Sequence, residues 1–131
     1  MRVTKWLLLG TAATVVCVSA ADLGGDPSGL WKAAPAIYKI HSGIVADRTA
    51  PTAKDRKLTV HIDGKAAKEL FDSIGPDVPL TCGSEKGERE RRRKGIYCAY
   101  DPREVSAKSG PYLCWIGMNL ITGEAETTVS C

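Results

Sequence analysis

The residues most able to do chemistry stand together at Glu85–Lys94, EKGERERRRK. Lys86, Arg89, Arg91, Arg92, Arg93 and Lys94 face Glu85, Glu88 and Glu90 in the same run. Clustered guanidinium groups make bidentate bonds to phosphate, sulfate or carboxylate and release counterions, so the run could hold an anionic polysaccharide or a lipid headgroup. The plainer reading is a solvated loop or an edge strand whose charges discourage sheet-to-sheet association. No aromatic residue is interleaved within it, and a nucleic-acid surface wants a wider basic face with stacking rings, so specific nucleic-acid binding is not expected.

The other reactive side chains are scattered. His41 and His61 fall on strand-like segments and point away from the core. With Asp47 or Asp63 they would supply three of a metal's ligands only if their strands were neighbours, and no third ligand is placed by spacing. Surface histidines are the plainer reading. Ser42, His41 and Asp47 compose a triad on paper, but no G-x-S-x-G elbow supports it. Glu69 and Asp72 share a helix face with Lys65 and Lys68, which intrahelical ion pairs explain without a glycosidase dyad. The glycines fit turns, and none forms a phosphate-cradling motif. No cofactor, no metal and no catalytic residue is therefore assigned, and the chain is not expected to be an enzyme. A small hydrolase using His41 or His61 is the least supported reading.

The amino terminus bears on the cysteines. Arg2 and Lys5 precede an uncharged apolar stretch from Trp6 to Val18, followed by the small residues Ser19, Ala20 and Ala21. This is the plan of a cleaved signal peptide, expected over 1–21, and it is shorter than the roughly 20 apolar residues of a spanning helix. The chain is thus expected to be exported, to the periplasm or beyond, with no membrane span after cleavage. Of 18 basic residues, Arg2 and Lys5 leave with the signal, so 16 stand against 15 acidic side chains and the apparent basicity largely vanishes. Cys17 leaves too, and Cys82, Cys98, Cys114 and Cys131 remain, the even count of two disulfides.

The elements that must position these groups follow from periodicity. Residues 22–35 are rich in Gly, Pro and Ala and read as a flexible lead-in to one domain over 36–131. Ile37, Tyr38 and Ile40 mark a short strand, and Leu58, Val60 and Ile62 alternate with Thr59, His61 and Asp63 in another. Ala66, Ala67, Leu70, Phe71 and Ile74 form one face of a helix that Asp63 would cap and Gly75–Pro76 would stop. GIYCAYD, PYLCWIGMNLI and ETTVSC read as further strands. The whole predicts an α+β domain: an antiparallel sheet of four to five strands, one helix packed on a face, and two disulfides.

Two finer expectations follow. A two-residue hairpin at Ile121–Thr122–Gly123–Glu124 would set Cys114 opposite Cys131, where Cα atoms lie about 4.5 Å apart, leaving Cys82 for Cys98. Cys98 with Cys114 across neighbouring strands is the main alternative. The alternation also puts Tyr97, Leu113 and Trp115 on the face opposite Cys98 and Cys114. They either line an exposed surface near the arginines, which with Tyr and Trp is hot-spot composition, or lie under a second layer made of 42–57 and the lead-in.

IYKIHSG, LFDSIGPD, CGSEKGERERRRKG and CWIGMNLITG resemble segments of small exported four-cysteine proteins of Gram-negative bacteria, a group whose function is not established. By size and export alone the chain is also similar to periplasmic lysozyme inhibitors and to immunity proteins, without their loop motifs. The reading that results is a non-catalytic binding domain for another envelope or extracellular protein, most concretely an inhibitor or immunity protein against an envelope-acting hydrolase. Its candidate surface comprises Arg89, Arg91, Arg92, Arg93, Lys94, Tyr97 and Trp115. The alternative is a binder of anionic envelope polymer or lipid through the arginines.

Overall fold

A computed structural model describes residues 31–126. In chain order the elements are β1 (Ala36–His41), β2 (Lys57–Asp63), α1 (Gly64–Ser73), β3 (Arg89–Arg93), β4 (Ile96–Tyr100), a single 3-10 turn at Pro102–Glu104, and β5 (Tyr112–Asn119). The five strands form one antiparallel sheet in the order β1-β2-β5-β4-β3. The α+β expectation holds. Residues 1–30, including the expected signal segment and most of the lead-in, and the last strand-like segment at 127–131 lie outside the described residues.

The period-two pattern of β2 and the 3.6-residue pattern of α1 meet on one side of the sheet. Ala67 and Phe71 are fully buried against Cys98 and Cys114, with Ile62, Leu70, Ile74, Ile96, Tyr100 and Tyr112 packed around them. Phe71 meets the edge of the Tyr112 ring at 5.3 Å. The helix lies over β5, β2 and β4 and leaves the same face of β1 uncovered. Asp63 occupies the N-cap position with extended backbone, but its carboxylate makes no capping bond, contrary to expectation. The helix stops as expected, with Gly75 at φ 107°.

The C-terminal end of α1 is finished from an unexpected quarter. The carbonyls of a helix's last turn lack intrahelical partners and carry partial negative charge. Arg91 donates from Nη1 to the Phe71 carbonyl at 2.7 Å, and Arg93 donates from Nε to the Ile74 carbonyl at 2.9 Å. Both come from β3, so the second half of the charged run is an edge strand and not a loop.

The disulfide pairing differs from the preferred expectation. Register sets Cys98 opposite Cys114 on β4 and β5, with Cα atoms 4.1 Å apart, and these two are joined. Cys114 therefore does not pair with Cys131, nor Cys82 with Cys98. Cys82 is itself disulfide-bonded, and Cys131 lies outside the described residues. The cause is the turn. Asn119 Oδ1 accepts from the amides of Ile121 and Thr122, widening the connection to a four-residue loop in which Asn119 pairs with Glu124. Met118 then faces Ala125, a register two positions away from the one a two-residue hairpin would impose. The returning chain crosses Gly95, where a Cβ would stand 2.6 Å from the Gly117 carbonyl oxygen; with φ at 68°, only glycine fits.

Candidate functional site

Strand alternation divides the chemistry-bearing residues between two faces. Arg89, Arg91 and Arg93 lie on the helix side, where they are consumed by structure. Arg89 Nε and Arg91 Nε each bond a different oxygen of Asp77 at 2.7 Å, and both guanidinium groups lie over the Phe71 ring, Arg91 at 4.3 Å from its centroid. Arg89 and Arg91 hold the Asp77 carboxyl down to about 2.

On the other face of β3 sits Glu90, 1% exposed. Its Oε1 accepts from the Cys82 amide and the Tyr97 hydroxyl, both at 3.1 Å. Its Oε2 accepts from the Thr81 amide at 2.9 Å and from Arg92 Nη2 at 2.6 Å. Burial pushes the carboxyl up, but these four donors together pull it below its usual value. Burial and the neighbouring Glu90 charge push the Tyr97 hydroxyl up to about 12. Tyr97 is 8% exposed, so it belongs to the packed part of this face and is not a free hot spot. Of the basic side chains in the run, Lys86 and Lys94 are the exposed ones without a structural bond described above.

The open part of this face lies toward β1. Register aligns Ile37, His61, Trp115, Tyr97 and Arg92 in one row across all five strands. Trp115 meets the His61 ring edge-on at 5.8 Å and the Tyr97 ring at 6.5 Å. Its Nε1–H is buried and has no hydrogen-bond partner among the described residues. Beside this row runs a groove of about 320 Å³ lined by Ile37, Tyr38, Lys39, Val45, Thr59, His61 and Trp115. The long β1–β2 connection builds its far wall: Lys39 Nζ donates to the carbonyls of Val45 and Asp47, tying the connection down. Of the two alternatives for the aromatics, the 42–57 connection reaches Trp115 only as the groove's far wall, while Tyr97 is buried beside Glu90, which the amides of Thr81 and Cys82 also bond.

The histidines do not form a shared site. His61 faces Ile37 and His41 faces Lys57, four positions apart along the sheet. His41 is 2% exposed, not a surface residue, and its Nε2 is 2.9 Å from Thr59 Oγ1. Ser42 donates its hydroxyl to the Ala50 carbonyl, so no Ser-His-Asp relay exists there. Among the described residues no group of three His, Cys, Asp or Glu side chains is arranged to hold a metal ion. A second hollow of about 360 Å³ near His61 is edged by Asp63, Asp101 and Glu104, but Arg103 already neutralises Asp101 at 2.7 Å. No helix of the described residues is long and apolar enough to cross a membrane.

No family model, no curated protein and no solved structure matches this chain. The groove at His61 and Trp115 had a partial signal in sequence, the alternation that set Trp115 opposite Cys114. Val45 and Lys39 had none, because a connection's fold-back over a sheet leaves no periodic trace.

Proposed function

We propose that the domain is a non-catalytic binding module that receives an apolar side chain, presented on a loop of another exported protein, in the groove between β1 and Trp115. The observation that carries this reading is the groove itself: a largely apolar hollow lined by Ile37, Val45 and Trp115, with Lys39, Thr59 and His61 as its polar members. Ligand sites have this composition, and Tyr and Trp dominate protein hot spots. An inhibitor or immunity protein against an envelope-acting hydrolase remains its most concrete form. The cross-strand disulfide at Cys98–Cys114 suits an exported domain.

The anionic-polymer alternative has less support, since Arg89, Arg91 and Arg93 are engaged with Asp77 and the end of α1, and Arg92 with Glu90. For the same reason replacing the arginines would report on folding, and the surface variants must be others. The test is capture from an extract of exported proteins by the oxidised domain, by Val45→Asp in the groove, and by a Lys86→Ala/Lys94→Ala variant. One protein captured in stoichiometric amount by the native and lysine-free baits and lost by Val45→Asp supports the reading. Capture that survives Val45→Asp but disappears with the lysines or with added salt overturns it in favour of a charged ligand.

A further inference from the structure

The Cys98–Cys114 bond is enclosed, and its two ends are guarded unequally. Both cysteines are fully buried. Their row across the sheet reads Ile62, Cys114, Cys98, Arg91, and α1 lies over it. Thiol–disulfide exchange needs a thiolate to reach one sulfur from the side away from the other. Cys114 Sγ is therefore approached from the Ile62 side and Cys98 Sγ from the Arg91 side. On the Arg91 side the guanidinium lies 4.3 Å over the Phe71 ring and bonds both the Phe71 carbonyl and Asp77, so the second half of α1 is pinned to β3. On the Ile62 side the cover is the first turn of α1, whose Ala67 carbonyl oxygen lies 3.3 Å from Cys114 Sγ. That turn is the weaker end of the helix. It begins at Gly64, the Asp63 carboxylate makes no capping bond, and no acidic residue stands in it. Lys65 adds a cation where the helix dipole favours an anion.

We infer that the Cys98–Cys114 disulfide is a gated redox bond: fraying of the first turn of α1 admits a thiol to Cys114 Sγ while Cys98 Sγ stays closed. An external thiolate bonds to Cys114 Sγ and the Sγ–Sγ bond breaks. The electron pair leaves on Cys98 as a thiolate, which takes a proton from water. A second external thiolate then bonds to the first external sulfur and releases Cys114, which is protonated in turn. Two external thiols are thus oxidised to one disulfide, and two cysteine thiols form. Cys98 is suited to leave. Arg91 faces it across the strands, and Arg89 and Arg91 share the single carboxylate of Asp77, so net positive charge remains on that side. A neighbouring guanidinium favours the thiolate, and the more readily ionised thiol leaves faster. Fraying of one turn needs less free energy than unfolding the domain, so the bond opens from one side with the sheet intact. This inference rests on α1 and the core beneath it and is independent of the groove.

The test is brief exposure of the oxidised protein to glutathione, acid quenching, and peptide mapping of the mixed disulfide. The expected adduct sits on Cys114, with Cys98 as the free thiol, by at least about tenfold over the reverse. Lys65→Glu, which places an anion in the first turn, should slow adduct formation about two- to fivefold. Arg93→Ala loosens the pinned end of the helix, and should lower Tm yet leave the rate of adduct formation within about twofold. Adducts divided evenly between the two cysteines, or a rate that rises with Arg93→Ala in step with the lost stability, would mean that the sulfurs are reached only through global unfolding, and overturn the inference. An adduct mainly on Cys98 overturns it as well, as does a native protein that stays unreacted while the denatured chain reacts at once.

Discussion

Replacing Glu90 by Gln tests whether the charged run is structural. The substitution keeps size and shape but converts one acceptor oxygen to an amide nitrogen. Placed at Oε2, that nitrogen would face the Thr81 amide and the Arg92 guanidinium, two obligate donors. Placed at Oε1, it faces the Tyr97 hydroxyl, which can turn and accept, and the Cys82 amide, which cannot. The second placement wins, taking the carboxylate oxygen from the part-buried Cys82 amide at about 1–3 kcal/mol and weakening a charge-assisted bond to Arg92 by about 1 kcal/mol. The sum is about 3 kcal/mol, which for a domain of this size lowers Tm by about 12–24 °C. The pH dependence supplies a second check. Because the folded carboxyl titrates below its unfolded value, its stabilisation is complete above pH about 4.3 and is lost as pH falls through the folded pKa. Denaturant melts of both proteins from pH 7 to pH 3 should therefore show a gap that narrows below pH about 4. A gap under about 0.5 kcal/mol at pH 7, or one that does not change with pH, would refute the reasoning.

Other consequences are equally direct. Peptide mapping of the unreduced protein should recover Cys98 joined to Cys114; a Cys82–Cys98 or a Cys114–Cys131 peptide would contradict it. Gly95→Ala should cost more than about 2 kcal/mol by chemical denaturation, since the new methyl meets the Gly117 carbonyl from a backbone conformation that alanine disfavours. Asp77→Asn should cost no more than about 1 kcal/mol at pH 7, because the carboxylate is 41% exposed and solvent screens its pairs with Arg89 and Arg91. Its depressed pKa places the wild-type loss between pH about 4 and about 2, so the two proteins should converge in melts at the acid end of that window.

What sequence could tell depended on whether a residue's role left a periodic trace. Leu58, Val60 and Ile62 alternate and Ala67, Leu70, Phe71 and Ile74 recur at helical spacing, so β2, α1 and their shared core were legible. So was the division that set Trp115 and Tyr97 opposite Cys98 and Cys114. β3 was obscured because its inward residues are arginines: the alternation of Arg89, Arg91 and Arg93 is a period-two signal written in charge, where burial is normally written in apolar residues. The disulfide was misassigned through one side chain, since Asn119 captures two amides and widens a turn that Thr-Gly alone suggested would be tight. Glu90 and the wall at Val45 depend on segments distant in sequence, 78–82 and 42–56, whose placement no local pattern encodes.

The most direct test of the central claim is a hydrogen-exchange footprint of the domain bound to the protein it captures. Protection gathered at 37–45, 59–61 and 115, with 86–94 unchanged, is the result expected of a groove-binding module whose arginines serve the fold. Protection confined to 86–94 would contradict it and return the binding surface to the charged run.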